Sequence, residues 1–321
     1  MTTAPMPSAG SSPNARPVHL FEVPLPASLN LDASLASLRR SGDDLFERWD
    51  GHTLLRVLTV DDHHVPVVMR PLRDRHALVI AVAQRPGKPV PDKALRRVIS
   101  EQFITDEPAW QRLLANDPAL ARLDAEHPGI RPLRLTDPLY ALVRSISAQQ
   151  VNLRWAVTLR ARLARRFATA HRIGEHTVHS IDTDRLATAS VTELRELQFS
   201  TRKAAYLIEA ATTAAAGQLN LAELRDLTDT EVVRRLTALH GVGRWTAEWF
   251  LARVLARPVV VAGDLVVRKT VGWTYGHIDT PTEDQTRQLT GHWGPAALVA
   301  QQLVLETAGS HASQSQRHTD R

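Results

Sequence analysis

The chain has 321 residues, of which 43% are hydrophobic and 23% charged, with a net charge of +5. This length suits about two domains with a sizeable core, and the excess of basic residues, in which arginine outnumbers lysine, favours a polyanionic partner. The absence of cysteine excludes disulfides, iron–sulfur clusters and thiol catalysis and is compatible with a reducing cytosol. No apolar run approaches the ~18 residues of a membrane span, so we predict a cytoplasmic protein without a membrane partner.

The predicted elements form two regions between two terminal tails. Residues 1–17 and 307–321 are rich in small and polar residues and are typical of disordered tails. Residues 18–95 predict a small α+β domain, in which Asp32 caps a helical pattern over LDASLASLRRSGDDLFERW and the runs TLLRVLTV, VPVVMRP and HALVIAVA form strands. The sequence DDHHVP falls at the turn between the first two strands, so it predicts a loop rather than a metal site.

Residues 96–306 predict an all-helical region, which makes the overall fold class α+β. Asp137 and Pro138 are the cap and the first residue of one helix. The next helix covers VNLRWAVTLRARLARRFATA, and its arginines are typical of a solvated face. Gly217 ends a third helix, and the last helix begins near Pro295.

The stretch LHGVGRWT joins two predicted helices as a helix–hairpin–helix, and Thr228 and Glu231 have capping-box spacing at the start of the first. Gly241 and Gly243 permit positive φ and a close approach of another surface. The first amides of the second helix suit a phosphate, because they lack partners within the helix and lie at the positive end of its dipole. The carbonyls before the turn suit a monovalent cation. A plain helix–helix turn fits the same glycines.

Four segments stand in order between residues 137 and 270: LVRSISAQQVNLRWA, STRKAAYL, LHGVGRWTAEWFLARVL and VVVAGDLVVRK. Together they resemble the helix–hairpin–helix DNA glycosylases, and among these the alkylbase enzymes called DNA-3-methyladenine glycosylase II. The α+β region before them is similar to the N-terminal domain of that family. The resemblance implies a base excision repair enzyme that flips out and excises alkylated purines of the 3-methyladenine type from duplex DNA.

The resemblance also relates Trp245 to a position that decides the type of reaction in this superfamily. In the lyase-type members of the superfamily this position carries a lysine that attacks the sugar and later cuts the strand. An indole nitrogen is no nucleophile, because its lone pair belongs to the ring. The resemblance therefore implies a monofunctional enzyme, without lyase activity, that needs no cofactor and leaves an abasic site.

Asp264 is the catalytic residue that the resemblance implies, because a carboxylate near C1′ stabilises an oxocarbenium-like sugar. Its position at a helix start also fits a simple N-cap. Trp245 and Trp249 lie four residues apart on one helix, so both can form one wall of a base pocket, although core packing is the common fate of tryptophan. Trp273 is predicted to lie in the core.

The resemblance assigns further residues. It implies Gln150 as the wedge that fills the gap left by the flipped base, Gln149 at the pocket, and Leu305 where relatives carry a pocket-closing aromatic. The pocket is therefore predicted to be less aromatic than usual. The predicted DNA contacts are the amides of Gly241, Gly243 and Thr246 with the charge of Arg244. The predicted Na⁺ or K⁺ ligands are the carbonyls of Thr237, Leu239 and Val242.

Two other functions remain open at this point. A non-catalytic protein could use the hairpin only to bind the DNA backbone, and a glycosylase of the same fold could act on deaminated bases. In each case the expected partner is double-stranded DNA, containing damaged bases if the protein is an enzyme. We expect a monomer associated with the nucleoid.

Overall fold

The computed structural model describes residues 18–61, 63–72, 74–83, 92–277 and 279–307. Both predicted tails lie outside these residues, except Thr307 at the end of the last helix. Among the described residues, no helix has the length and apolar character needed to cross a membrane.

A five-stranded antiparallel sheet is the first element of the fold, with strand order β1-β5-β4-β3-β2. The strands are β1 (Val18–Pro24), β2 (Arg48–Trp49), β3 (Leu54–Val60), β4 (His63–Leu72) and β5 (Ala77–Ala83). Val60 pairs with His63, so the loop predicted over DDHHVP is wrong from His63 onwards, because the last four of these residues pair with β3 as the start of β4. One face of the sheet packs in an apolar core with Leu35 of α1 (Leu31–Ser41) and Leu95 and Ile99 of α2 (Asp92–Ser100). The core therefore continues through α2, across the predicted boundary between residues 95 and 96.

The other face of the sheet is covered by a β-hairpin that the sequence analysis missed. Its strands are β6 (Ala168–Ile173) and β7 (His176–Ile181), joined by a turn in which Gly174 has a φ of 58°. Ile173 and Val178 pack against Leu55 and Val68 of the sheet. Residues 96–306 are therefore not all helical. Residues 168–170 (ATA) were wrongly included in the preceding helix. Their strand conformation depends on packing of the alternate apolar residues of this β-hairpin against the sheet, which the local sequence does not show.

The helical part forms two packed groups. The first contains α5 (Pro138–Ala148), α6 (Leu153–Phe167), α7 (Thr183–Ala187), α8 (Val191–Glu196), α9 (Thr201–Ala215), α10 (Leu221–Asp226), α11 (Asp229–Thr237) and α12 (Arg244–Arg253). The second contains α3 (Glu107–Asn116), α4 (Pro118–Glu126), α13 (Leu265–Thr274), α14 (Glu283–Thr290), a 3₁₀ helix (Gly291–Ala296) and α15 (residues 297–307). Asp264 lies at the junction of the two groups, because the segment after α12 leads directly into α13.

The helix caps follow the sequence with one exception. Asp137 accepts the N–H of Tyr140 at 3.0 Å, and Thr228 and Glu231 form a capping box, as predicted. The cap of α1 is Asn30 rather than Asp32, because Asn30 is the residue with extended backbone and its side chain accepts the N–H of Ala33. Asp32 instead lies in the first turn, where its charge complements the helix dipole. The helical pattern predicted as far as Trp49 is wrong beyond Ser41, because Gly42, with a φ of 102°, ends α1 and Arg48–Trp49 form β2.

The arginines of α6 divide between surface and interior. Arg154, Arg165 and Arg166 are exposed, but Arg160 is buried and donates to Asp44 at 2.7 Å. Burial by itself raises the pKa of the Asp44 carboxyl, but the positive charges of Arg160 and Arg144 outweigh it and lower the pKa. The solvated face predicted for α6 is therefore wrong for Arg160, which ties this helix to the loop after α1.

Trp273, predicted in the core, is 44% exposed on α13.

Candidate active site

A cavity of about 250 Å³ lies where α1, α5, α12 and α15 meet. Trp245, Trp249 and Asp264 all line it. The opposite side is formed by residues far away in the sequence, among them Ser34 and Ser37 of α1. The fold thus brings the predicted carboxylate and both predicted tryptophans into one concave site of a size that suits a small planar ligand.

Asp264 is held by four hydrogen bonds. Its Oδ1 accepts the backbone N–H of Val266 at 2.8 Å and of Val267 at 3.2 Å, which makes it the N-cap of α13. Its Oδ2 accepts the indole N–H of Trp245 at 2.8 Å and of Trp249 at 3.3 Å. Asp264 is therefore both an N-cap and a cavity residue, and the two readings of the sequence do not exclude each other. An ionised carboxylate only accepts hydrogen bonds, so this set of four donors suits it.

The contact between the indoles and the carboxylate was not predicted. The i, i+4 spacing of Trp245 and Trp249 on α12 indicated a shared helix face, but it carried no information about the direction of the indole N–H groups. The direction depends on the segment between α12 and α13, which returns the chain so that Asp264 faces the side of α12. Both tryptophans are half-buried, so each presents an aromatic surface to the cavity as well.

Charged side chains also line the cavity, and the sequence analysis missed them. Glu47 is buried and accepts the Arg144 Nη1–H at 3.1 Å. Arg253 is one helical turn after Trp249, and its guanidinium lies 5.4 Å from the centre of that ring. Burial lowers the pKa of Arg253 to about 10, which still leaves it charged at neutral pH. No sequence pattern links Glu47 with the helical arginines, because they meet only across the interface between the sheet region and α5.

The hairpin is fixed to its surroundings at Gly241. Its φ is 76°, and a Cβ at this position would lie 2.0 Å from Cδ2 of Tyr206. Its carbonyl accepts the Gln149 Nε2–H at 2.8 Å. Gln149 was predicted at the pocket, but its side chain instead joins the end of α5 to the hairpin.

Gly243 has a different environment. It is the N-cap of α12 with a φ of −87°, no side chain caps this helix end, and a Cβ here would meet nothing within 4 Å. Gly243 and Arg244 are both exposed, so this helix end lies at the protein surface, directly before Trp245 of the cavity lining. An uncapped helix N-terminus with an accessible backbone has the properties required to bind an anion.

Replacing these two glycines by alanine separates their roles. We expect Gly241→Ala to lower the free energy of unfolding by about 2–4 kcal/mol, because the new methyl group both collides with Tyr206 and strains a positive φ. Gly243→Ala has room and an ordinary φ, so its cost should be only the roughly 0.5–1 kcal/mol by which alanine is a poorer N-cap than glycine. Urea unfolding of both variants measures the difference, and equal stabilities would contradict the assigned packing.

The remaining hairpin residues are placed as follows. Arg244 is exposed and donates to Glu248 at 2.9 Å, while Thr246 is buried in the first turn of α12. The predicted cation ligands Thr237, Leu239 and Val242 lie in or just after α11. The Leu239 carbonyl accepts the N–H of Val242 at 3.2 Å, which leaves it one lone pair.

Two predicted residues lie apart from the cavity lining. Gln150 is exposed, with a φ of 54°, at the sharp turn between α5 and α6. Leu305 packs against the core of the second helical group, and Gln302, one turn earlier on α15, lines the cavity instead. Leu305, three residues after Gln302 and therefore its neighbour on α15, is half-buried against that core and does not line the cavity.

Three exposed apolar side chains lie close to the site. Leu153 is 66% exposed at the start of α6 and contributes to the cavity lining. Leu265 and Val266 are 50% and 52% exposed directly after Asp264. Exposed apolar side chains grouped beside a cavity are typical of a surface that a ligand covers.

The sequence of the chain was compared with models of known protein families. Residues 143–296 match the family model described as HhH-GPD superfamily base excision DNA repair protein. The matched segment begins within α5 and contains the hairpin and Asp264, so this part of the chain is similar to the proteins of that superfamily.

Similar proteins carry related names. YfjP of Bacillus subtilis (strain 168), named among the DNA-3-methyladenine glycosylases, is 30% identical over 55% of this chain, and the chain spans 61% of its length. The DNA-3-methyladenine glycosylase of the same organism is 22% identical over 84% of the chain and 91% of its own length. The solved 3-methyladenine DNA-glycosylase of Archaeoglobus fulgidus shares the fold, with a TM-score of 0.77 at 22% identity over 89% of this chain and 97% of that one.

Proposed function

We propose that the protein is a monofunctional DNA glycosylase that flips alkylated purines of the 3-methyladenine type out of duplex DNA and excises them, leaving an abasic site. The observation that carries this proposal is the Asp264 carboxylate, held by two indoles and two backbone amides at the wall of a cavity next to an uncapped helix N-terminus. The superfamily match and the names of the relatives support it.

The proposed reaction breaks the bond between C1′ and the base nitrogen. The bonding electrons leave with the base, and the sugar becomes oxocarbenium-like. The negative charge of Asp264 stabilises this cation, and its oxygens orient the water that adds to C1′ and then loses a proton to the surrounding solvent. An alkylated purine that already carries positive charge leaves easily, so no side chain has to protonate it.

The base would stack mainly on Trp245. Both indole N–H groups are used by Asp264, so the ring faces remain for the base. The guanidinium of Arg253 lies over the Trp249 ring and covers part of it, whereas the pocket side of Trp245 faces the cavity. A cationic base on an electron-rich indole gains a cation–π contribution that an undamaged base does not have.

DNA binding would centre on the hairpin. In this proposal the amides of Gly241, Gly243 and Thr246, with the charge of Arg244, hold phosphates, and a Na⁺ or K⁺ at the carbonyls of Thr237, Leu239 and Val242 completes the contact. Gln150 would fill the gap left by the flipped base, because it is exposed at the turn that leads to the cavity mouth. A monomer on nucleoid DNA would suffice for this function.

A glycosylase for deaminated purines is the second candidate, and the arginines in the cavity favour it. A guanidinium carries five N–H donors, and the bond to Glu47 uses Nη1 of Arg144. The N–H groups of Arg144 and Arg253 would suit the carbonyl of a deaminated purine, while their positive charge would repel a cationic base.

The test is an identification of the released base. Purified protein is incubated with methylated duplex DNA and with a duplex containing deaminated adenine, and free bases are identified by mass. We expect methylated purines in the first reaction and uncut strands that break only after alkali treatment. Release of the deaminated base alone would contradict the alkylpurine function and support a glycosylase for deaminated purines. Direct strand cleavage would contradict the absence of lyase activity, and DNA binding without release would leave a binding protein.

A further inference from the structure

A surface channel leads away from the cavity on the side of α1 and α6. Ser37 and Leu153 line both the cavity and an adjoining depression of about 640 Å³. This depression shares Arg40 and Arg154 with a further one of about 530 Å³. The three concavities therefore have common walls and form one continuous path from Asp264 across the surface.

One face of α6 forms the floor of this path. Arg154, Thr158, Ala161 and Arg165 recur at intervals of three and four residues, so they lie in one row along the helix. The two middle residues are small and leave the row concave, with an exposed arginine at each end. At 1.5 Å per residue the two arginines are about 16 Å apart along the helix.

The last turn of α1 forms the facing wall, with Arg39 and Arg40. We call the path bounded by Arg39, Arg40, Arg154 and Arg165 the arginine channel. Its acidic neighbours are already paired, since Asp43 binds Arg48 at 2.7 Å and Glu306 binds Arg40. Within the described part of the chain, no carboxylate forms an ion pair with Arg154 or Arg165. The channel is thus a concave strip of net positive charge.

We propose that the arginine channel binds the phosphates of the DNA beyond the flipped nucleotide, as a second backbone site separate from the hairpin. The proposal rests on the proposed function, because it takes duplex DNA as the ligand. Helix α12, which follows the hairpin, contributes Trp245 to one side of the cavity. The arginine channel joins the cavity on another side, at Ser37 and Leu153. A nucleotide whose base occupies the cavity therefore has a basic surface on each of these two sides.

The dimensions and chemistry of the channel fit a DNA backbone. Successive phosphates of one strand of B-DNA rise by about 3.4 Å along the duplex axis, so a channel of about 16 Å that runs parallel to this axis spans roughly five nucleotides. Arginine binds phosphate with paired N–H donors, and such contacts add affinity without reading the sequence. Leu153 at the junction supplies an apolar surface where the strand would turn from the channel towards the cavity.

The test compares the double variant Arg154→Gln/Arg165→Gln with the control Arg112→Gln/Arg122→Gln. The control removes the same charge from exposed positions on α3 and α4. Affinity is measured from 50 to 200 mM salt for a duplex carrying a stable abasic-site analogue. A plot of log K against log salt has a negative slope, which should be less steep by about 1.8 for the channel variant than for the wild type, at about 0.9 per lost phosphate contact. The control variant should keep the wild-type slope.

A second measurement locates the contact. Shortening the duplex from one end, past about five base pairs from the analogue, should weaken wild-type binding and leave the channel variant unaffected. Equal salt slopes for the channel variant and the wild type, or an equal fall in the control, would overturn the proposal. Wild-type binding without base release would refute the proposed function alone, because the slopes still test the channel. A wild type that binds no duplex would refute both.

Discussion

Replacing Asp264 by asparagine should slow base release by at least about 100-fold while the protein stays folded. The amide retains an oxygen that can cap α13 at Val266 and Val267, but it brings no negative charge to C1′. Its N–H₂ group would also face the indole N–H groups of Trp245 and Trp249, which then lose their acceptor. Single-turnover release of the base from methylated duplex DNA measures the effect.

The control is the same substitution at a remote cap. Asp182 caps α7 by accepting the N–H of Arg185 at 3.1 Å, so Asp182→Asn changes one helix cap in the same chemical way without touching the cavity. It should leave the release rate unchanged. Binding to a duplex with an abasic-site analogue should persist in Asp264→Asn. If Asp264→Asn released base at the wild-type rate, this carboxylate would not be the catalytic group.

Trp245→Phe should lower kcat by about 10- to 100-fold with little change in KM. Phenylalanine retains an aromatic wall but removes the N–H that binds Asp264 Oδ2 at 2.8 Å, and a hydrogen bond to a charged group contributes about 1.5–3 kcal/mol. Trp249→Phe should have a smaller effect on kcat, because its bond to the same oxygen is longer, at 3.3 Å. Steady-state kinetics on methylated DNA gives both constants.

A double-mutant cycle decides whether Trp245 acts through Asp264. If the indole only positions the carboxylate, Trp245→Phe should have almost no further effect in the Asp264→Asn background. If it acts only as a stacking wall, the two effects should multiply and KM should rise instead. Trp273→Phe, an exposed tryptophan on α13, is the matched control and should leave both constants unchanged.

Local features of the site follow directly from neighbouring residues. The cap at Asp137, the capping box of Thr228 and Glu231, and the start of α13 after Asp264 were predicted, because each depends on hydrogen bonds within about one helical turn. The hairpin between α11 and α12 is local for the same reason. The resemblance of these segments to one superfamily also comes from short motifs, and the family match covers the region in which they lie.

Features that join distant segments were predicted poorly. The β6–β7 hairpin was missed, because Ile173 and Val178 form a strand pair against Leu55 and Val68, more than a hundred residues earlier. Gln149 was assigned to the pocket, but its side-chain amide donates to the Gly241 carbonyl. No local sequence pattern indicates this contact, because the two residues are far apart in the chain. Leu305 was misplaced because its helix face depends on how α15 packs.

The sequence by itself determined the caps at Asp137, Thr228 and Asp264, the hairpin between α11 and α12, and the resemblance to one superfamily, since these depend on residues close together in the chain. Only the tertiary structure decided that Trp245 and Trp249 donate to Asp264, that Glu47 and Arg144 share its cavity, and that α1 and α6 enclose a basic channel. The physical reason is that the direction of a side chain, and the charge beside it, depend on which elements pack together. Burial of apolar surface drives that packing, and it does not depend on the distance between residues along the chain.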